Sequence, residues 1–140
     1  MISSKYILDI FDLLFDDINI GKTLRQQIPY LTDTEYEYTG VGVFIYFSHD
    51  IDINKYQIQS NNSNSKVLLV ADDTNISGVT IKDDKNNVYA DATVFIKDGY
   101  INYLEIWNKI GDYPKKDLET YIMKQEWTSS SSRQIIKTNA

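Results

Sequence analysis

Apolar side chains near the start of the chain recur at helical spacing. Ile7, Ile10, Phe11, Leu14, Phe15 and Ile18 follow the i, i+3, i+4, i+7 rule for one face, which predicts an amphipathic helix from Ser4 to Ile18. Lys5, Asp9, Asp12 and Asp16 then share its opposite, solvated face. Ser3 or Ser4 supplies an N-cap oxygen, and Asn19-Ile20-Gly21 supplies the stop, with Gly21 suited to a left-handed cap. From Lys22 to Tyr30 no period persists, so the segment around Pro29 reads as irregular.

Beyond Tyr30 the pattern changes to that of strands. Glu35 to Thr39 and Val41 to Ser48 are rich in Tyr, Phe, Val and Ile, with Gly40 and Gly42 marking a turn or a bulge. Asn61-Asn62-Ser63-Asn64-Ser65 is a polar loop. Lys66 to Ala71 and Gly78 to Lys82 are short β-favouring runs, each followed by an Asp/Asn turn cluster. The clearest strand signal spans Val88 to Trp107 and is broken only by Asp98-Gly99, the pair that suits a two-residue hairpin turn with both φ angles positive.

A flush register from that turn sets Lys97 opposite Tyr100 and Ile96 opposite Ile101. One face then collects Ala90, Ala92, Val94, Ile96, Ile101, Tyr103, Glu105 and Trp107, and the other Tyr89, Asp91, Thr93, Phe95, Asn102, Leu104 and Ile106. Neither face is polar, which predicts a central hairpin touched on both sides. Gly111 to Pro114 is a turn, and Lys115 to Met123 fits either a short helix or a last strand. The predicted class is α+β, an N-terminal amphipathic helix packed on a mainly antiparallel β-sheet. It occupies residues 1–127 as one domain, followed by a polar, disordered tail over 128–140.

Composition narrows the chemistry. In 140 residues there is no cysteine, which excludes disulfides, thiolate metal sites and a cysteine nucleophile. No apolar run reaches membrane-spanning length and the start has no signal-peptide pattern, so the expected compartment is the cytoplasm and no membrane partner is expected. A net charge of −6 opposes phosphate binding, so nucleic acid is not an expected partner. The same charge suits a basic protein partner. The bias toward Asn, Ile, Lys, Asp and Tyr is that of A/T-rich codons and fits a low-GC bacterium.

His49 is the only histidine, in Ser48-His49-Asp50-Ile51-Asp52. A His beside two carboxylates has the donors for a metal or acid–base site, but catalysis needs further ligands or a nucleophile brought from elsewhere. A strand-end loop in which Asp50 caps a turn accounts for the same residues. The Asp72-Asp73 and Asp83-Asp84 clusters lack the spacing of a calcium loop, and Gly40-Val41-Gly42 lacks the Lys-Ser/Thr of a phosphate loop. No metal, cofactor or catalytic set is therefore expected.

Eleven tyrosines and two tryptophans exceed what a small core needs, and such side chains anchor interfaces with a rigid apolar body and a polar tip. Tyr36, Tyr38, Tyr89, Tyr100, Tyr103, Trp107 and Tyr113 are candidates for the surface. With the acids of the helix and strands, the expected partner-binding residues are Asp9, Asp12, Asp16, Glu35, Glu37, Tyr89, Tyr103, Glu105, Trp107 and Tyr113. The register sets Asp91 and Glu105 on opposite faces, so they do not form a glycosidase pair.

The stretch Asp91 to Trp107, with Gly111-Asp112-Tyr113-Pro114 and the upstream run Gly40 to Phe47, resembles small bacterial immunity proteins encoded beside polymorphic toxins. The resemblance touches about half of the chain. It implies a non-enzymatic domain that blocks a cognate, basic toxin by direct contact, and it transfers no binding residue. Two other readings stand beside it. One is a small-molecule-binding or enzymatic domain built on the His49 region, and the other is a structural module that pairs with itself as a homodimer.

Overall fold

A computed structural model of the chain describes residues 1–16, 18–59, 74–127 and 132–138. Ser4 opens the first helix, α1 (Lys5–Leu14), because its side-chain oxygen accepts the N–H of Ile7, one of the donors a helix start leaves free. The apolar stripe is buried as its spacing requires, with Ile7, Ile10, Phe11 and Leu14 out of contact with water. Gly21 does not cap α1. It begins a second helix, α2 (Gly21–Gln27), within the segment expected to be irregular. Glycine is needed there by close approach, since a Cβ would lie 2.0 Å from the Phe15 carbonyl oxygen.

Seven strands follow: β1 (Leu31–Tyr38), β2 (Gly42–His49), β3 (Thr74–Asp83), β4 (Val88–Lys97), β5 (Tyr100–Asn108), β6 (Tyr121–Gln125) and β7 (Gln134–Lys137). They form one sheet in the order β1-β2-β5-β4-β3-β6-β7, with every neighbouring pair antiparallel. The fold is thus the α+β arrangement expected. α1 packs on β3, β4 and β6, and α2 on β5, so both helices cover the same face. That face carries Val43, Ile45, Val79, Ile81, Ala90, Ala92, Val94, Leu104, Ile106 and Met123, all buried.

Asp98 and Gly99 form the hairpin turn with φ of 54° and 83°. Lys97 faces Tyr100 and Ile96 faces Ile101, but the next pair is Phe95 with Tyr103. Asn102 is an extra residue, a bulge, and it moves everything downstream by one position. The flush register is corrected accordingly. Leu104 and Ile106 turn to the core, and Tyr103, Glu105 and Trp107 turn to the face that carries Tyr89, Asp91, Thr93 and Phe95. Burying Leu104 and Ile106 beneath the helices, in place of Glu105 and Trp107, is the physical reason.

Two other expectations change. Lys115 to Met123 forms neither a helix nor a strand throughout, and β6 begins at Tyr121. Within the segment expected to be a disordered tail, Gln134–Lys137 pairs with β6, setting Ile136 beside Ile122 and Ile135 beside Met123. Ile135 packs against the core and Arg133 ties the segment to α1, so a strand forms despite its polar flank. The loop at Asn61 to Ser65, the strand proposed at Lys66 to Ala71, the turn residues Asp72 and Asp73, and residues 128–131 of the tail lie outside the described residues.

Candidate functional site

The second face of the sheet has no helix over it among the described residues, and it should be polar in a free-standing domain. It is aromatic. Antiparallel register puts Glu35, Tyr46, Tyr103 and Phe95 in one row across four strands, and Glu37, Phe44, Glu105 and Thr93 in the next. Phe95 stacks on Tyr103 with ring centres 4.5 Å apart, and Tyr103 meets Tyr46 at 5.5 Å and Phe44 at 6.0 Å. Trp107 and Tyr89 extend the patch along the strands, 50% and 41% exposed. Such a continuous aromatic surface on a small domain makes this face the candidate contact site.

The acids on this face differ from the acids elsewhere. Among the described residues, none of the ion pairs involves Glu35, Glu37 or Glu105. Glu37 accepts the Tyr46 hydroxyl at 3.0 Å, which pushes that hydroxyl's pKa upward. β1, β2 and β5 contain no Lys or Arg at all. Beyond β4 the sign changes. Lys82 and Lys124 project from β3 and β6 beside Ile122, and with Thr80, Tyr89 and Glu126 they line a shallow groove of about 390 Å³. Lys109 lies at the border, 3.2 Å from Asp91 and 4.2 Å above the Tyr89 ring.

Six of the residues expected to bind a partner, Glu35, Glu37, Tyr89, Tyr103, Glu105 and Trp107, share this face. The other four do not. Asp9, Asp12 and Asp16 were expected on a solvated helix face; Asp12 and Asp16 are partly exposed, but for Asp9 this is corrected, since it is buried, accepting the Tyr121 hydroxyl at 2.6 Å and pairing with Lys5 at 2.8 Å. Asp12 is bridged by Arg25 at 3.0 Å and Arg133 at 2.9 Å, and Asp16 by Arg133 at 2.8 Å. These two acids and two arginines cancel in charge, so neither acid is left unpaired on the helix side. Tyr113 is also corrected, because its side chain is buried with its hydroxyl 2.7 Å from that of Tyr6. Burial pushes the pKa of both phenols up.

Tyr36 and Tyr38 lie on the helix side of β1, half-buried, with the Tyr36 hydroxyl donating to Asp33. Tyr100 donates to Asn54. The His49 residues do not converge. His49 donates from Nε2 to the Ile101 carbonyl at 2.6 Å, and Asp50 caps the short 3-10 helix Ile51–Tyr56 by accepting the Asp52 N–H. Among the described residues no group of three or more His, Asp or Glu side chains is placed to hold a metal ion. Asp91 and Glu105, expected on opposite faces, share the outer one because of the Asn102 bulge.

Sequence reasoning missed Phe44, Tyr46, Phe95, Lys82 and Lys124 as members of the site. A signal was present in β2, where Val43, Ile45 and Phe47 alternate with Phe44 and Tyr46, so both faces are apolar. No described helix is long and apolar enough to cross a membrane. The chain matches no family model, no curated protein and no solved structure.

Proposed function

We propose that this protein is an immunity protein: a non-enzymatic domain that neutralises a cognate bacterial toxin by direct contact through the helix-free face of its sheet. The observation that supports this reading is the junction of Glu35, Glu37 and Glu105, three carboxylates without a cationic neighbour among the described residues, with the aromatic cluster Phe44, Tyr46, Tyr103 and Phe95. A basic toxin surface supplies what that half of the face lacks. Arg side chains pair with carboxylates bidentately and stack on aromatic rings, and rigid aromatic side chains lose little conformational entropy on contact. The sequence resemblance to immunity proteins points the same way.

Co-expression with the product of the neighbouring open reading frame tests the reading. A stoichiometric complex is expected, and Trp107→Ala together with Glu105→Lys should weaken it by about 1000-fold, since truncating an aromatic anchor and reversing a facing charge each cost about 2 kcal/mol. Recovery of the chain without any such protein would refute the reading. A complex indifferent to both substitutions would move the contact off this face.

A further inference from the structure

Two acids of the outer face flank one aromatic ring. Glu37 on β1 stands opposite Phe44 on β2, and Phe44 stands opposite Glu105 on β5, so one row across three adjacent strands reads carboxylate, ring, carboxylate. Neighbouring strands lie about 4.8 Å apart, which sets the two glutamate backbones roughly 10 Å from each other with Phe44 midway. Packing holds the members of the row in place. Phe44 is half-buried and meets Tyr103 edge-on, at 64° with ring centres 6.0 Å apart, while the Glu37 carboxylate accepts the Tyr46 hydroxyl at 3.0 Å.

Among the described residues no cation of the chain pairs with these two carboxylates. Lys124 lies in the next row along the strands, opposite Thr80, and Lys82 in the row beyond that, opposite Tyr89. Lys109 is engaged by Asp91 at 3.2 Å. Like charges at this range repel, so the free chain keeps the row at a cost that a cation from outside relieves.

Building on the reading of this face as the toxin's contact surface, we infer that the row is a seat for an arginine of the partner, whose guanidinium lies over Phe44 and donates to Glu37 from one edge and to Glu105 from the other. A guanidinium is planar, carries five N–H donors around its rim and is weakly hydrated, so it stacks on a ring and meets carboxylates on two sides at once. The compact, strongly hydrated ammonium of a lysine gains the charge attraction without the stacking or the fork of donors. The row therefore selects between the two cations of a basic protein, whereas net charge attracts both alike.

NMR titration of the free chain is the experiment, with N-acetyl-arginine amide and N-acetyl-lysine amide as probes at matched, low ionic strength. The arginine probe should shift the signals of Glu37, Phe44 and Glu105 with a dissociation constant on the order of 10 mM, and the lysine probe should bind there about fivefold more weakly or less. Glu37→Gln with Glu105→Gln, isosteric changes that spare the fold, should abolish the localised response. Phe44→Leu should remove most of the preference for arginine. Asp52→Asn with Glu119→Gln takes the same charge from exposed positions outside the sheet and should change nothing. Equal binding of the two probes, shifts centred elsewhere or absent at about 100 mM arginine probe, a response that survives Glu37→Gln with Glu105→Gln, or an arginine preference that survives Phe44→Leu would each overturn the inference. Because the chain is titrated alone, failure here leaves the complex with the neighbouring protein to its own test, and absence of that complex leaves the arginine seat standing.

Discussion

Asp9 shows how a single position can reverse its apparent role. By helical phase it belongs to a polar face, yet β6 crosses above it and the Tyr121 hydroxyl donates to its carboxylate in a nearly dry environment. Burial and that carboxylate together push the Tyr121 hydroxyl pKa well up, so it stays a donor at every ordinary pH. Asp9→Ala leaves the hydroxyl without its acceptor and should cost about 2 kcal/mol in urea unfolding. A loss near zero would mean water replaces the carboxylate.

Asp16 behaves differently. The Gln125 side-chain amide, followed by Arg133, holds its carboxyl below the usual value of 3.8 against an opposing effect of burial. A lowered folded pKa means the charged form stabilises the fold, fully above about pH 4 and progressively less as pH falls through the folded value. Melting temperatures of the wild type and Asp16→Asn should therefore differ most above pH 4 and converge in acid. A constant difference across the pH range would contradict the assignment.

Among elements, the Asn102 bulge absorbs one extra residue in the hairpin, so that Tyr103, Glu105 and Trp107 face outward despite it. Because Ile96–Ile101 and Phe95–Tyr103 flank it, removing Asn102 leaves a regular hairpin with the same residues outward. Deletion of Asn102 should then keep a cooperative fold with a loss of no more than about 2 kcal/mol, mostly from lost twist. Loss of cooperative unfolding would show that the bulge does more than set twist.

Features coded by neighbouring residues were legible from the chain: the apolar stripe of α1, the Asp98-Gly99 turn and the strands on either side. α2 was not, since seven residues beginning with Gly21 repeat no period. β7 was hidden by the Ser-rich run before it, and only its pairing with β6 and the Arg133 contacts give it order. The bulge leaves no local mark either, because a flush register satisfies the turn equally well. Of the site, the acids and aromatics of β1, β4 and β5 were legible by type. Their gathering on one face depended on that bulge, and the neutralising of Asp12 and Asp16 on arginines 13 and 117 positions away in sequence.

At the scale of the whole molecule, one sheet face is filled by two helices and the other carries aromatic rings, acids and lysines without an equivalent cover among the described residues. A net charge of −6 would favour encounter with the basic partner proposed, and the local arrangement of Glu37, Phe44 and Glu105 would give that encounter a register. On the helix side, Arg25 and Arg133 neutralise Asp12 and Asp16. Helix and sheet thus differ in what they offer: one side is buried in holding the fold, and the other is the face the proposed partner would meet.

Cross-saturation NMR on the complex with the co-expressed neighbouring protein would locate the contact directly. Signal loss confined to outward positions of β1, β2, β5 and β4, with Phe44, Tyr103, Glu105 and Trp107 most affected, is the result predicted. Signal loss centred on α1 and α2, with those four residues unchanged, would contradict the assignment of the sheet face as the binding surface.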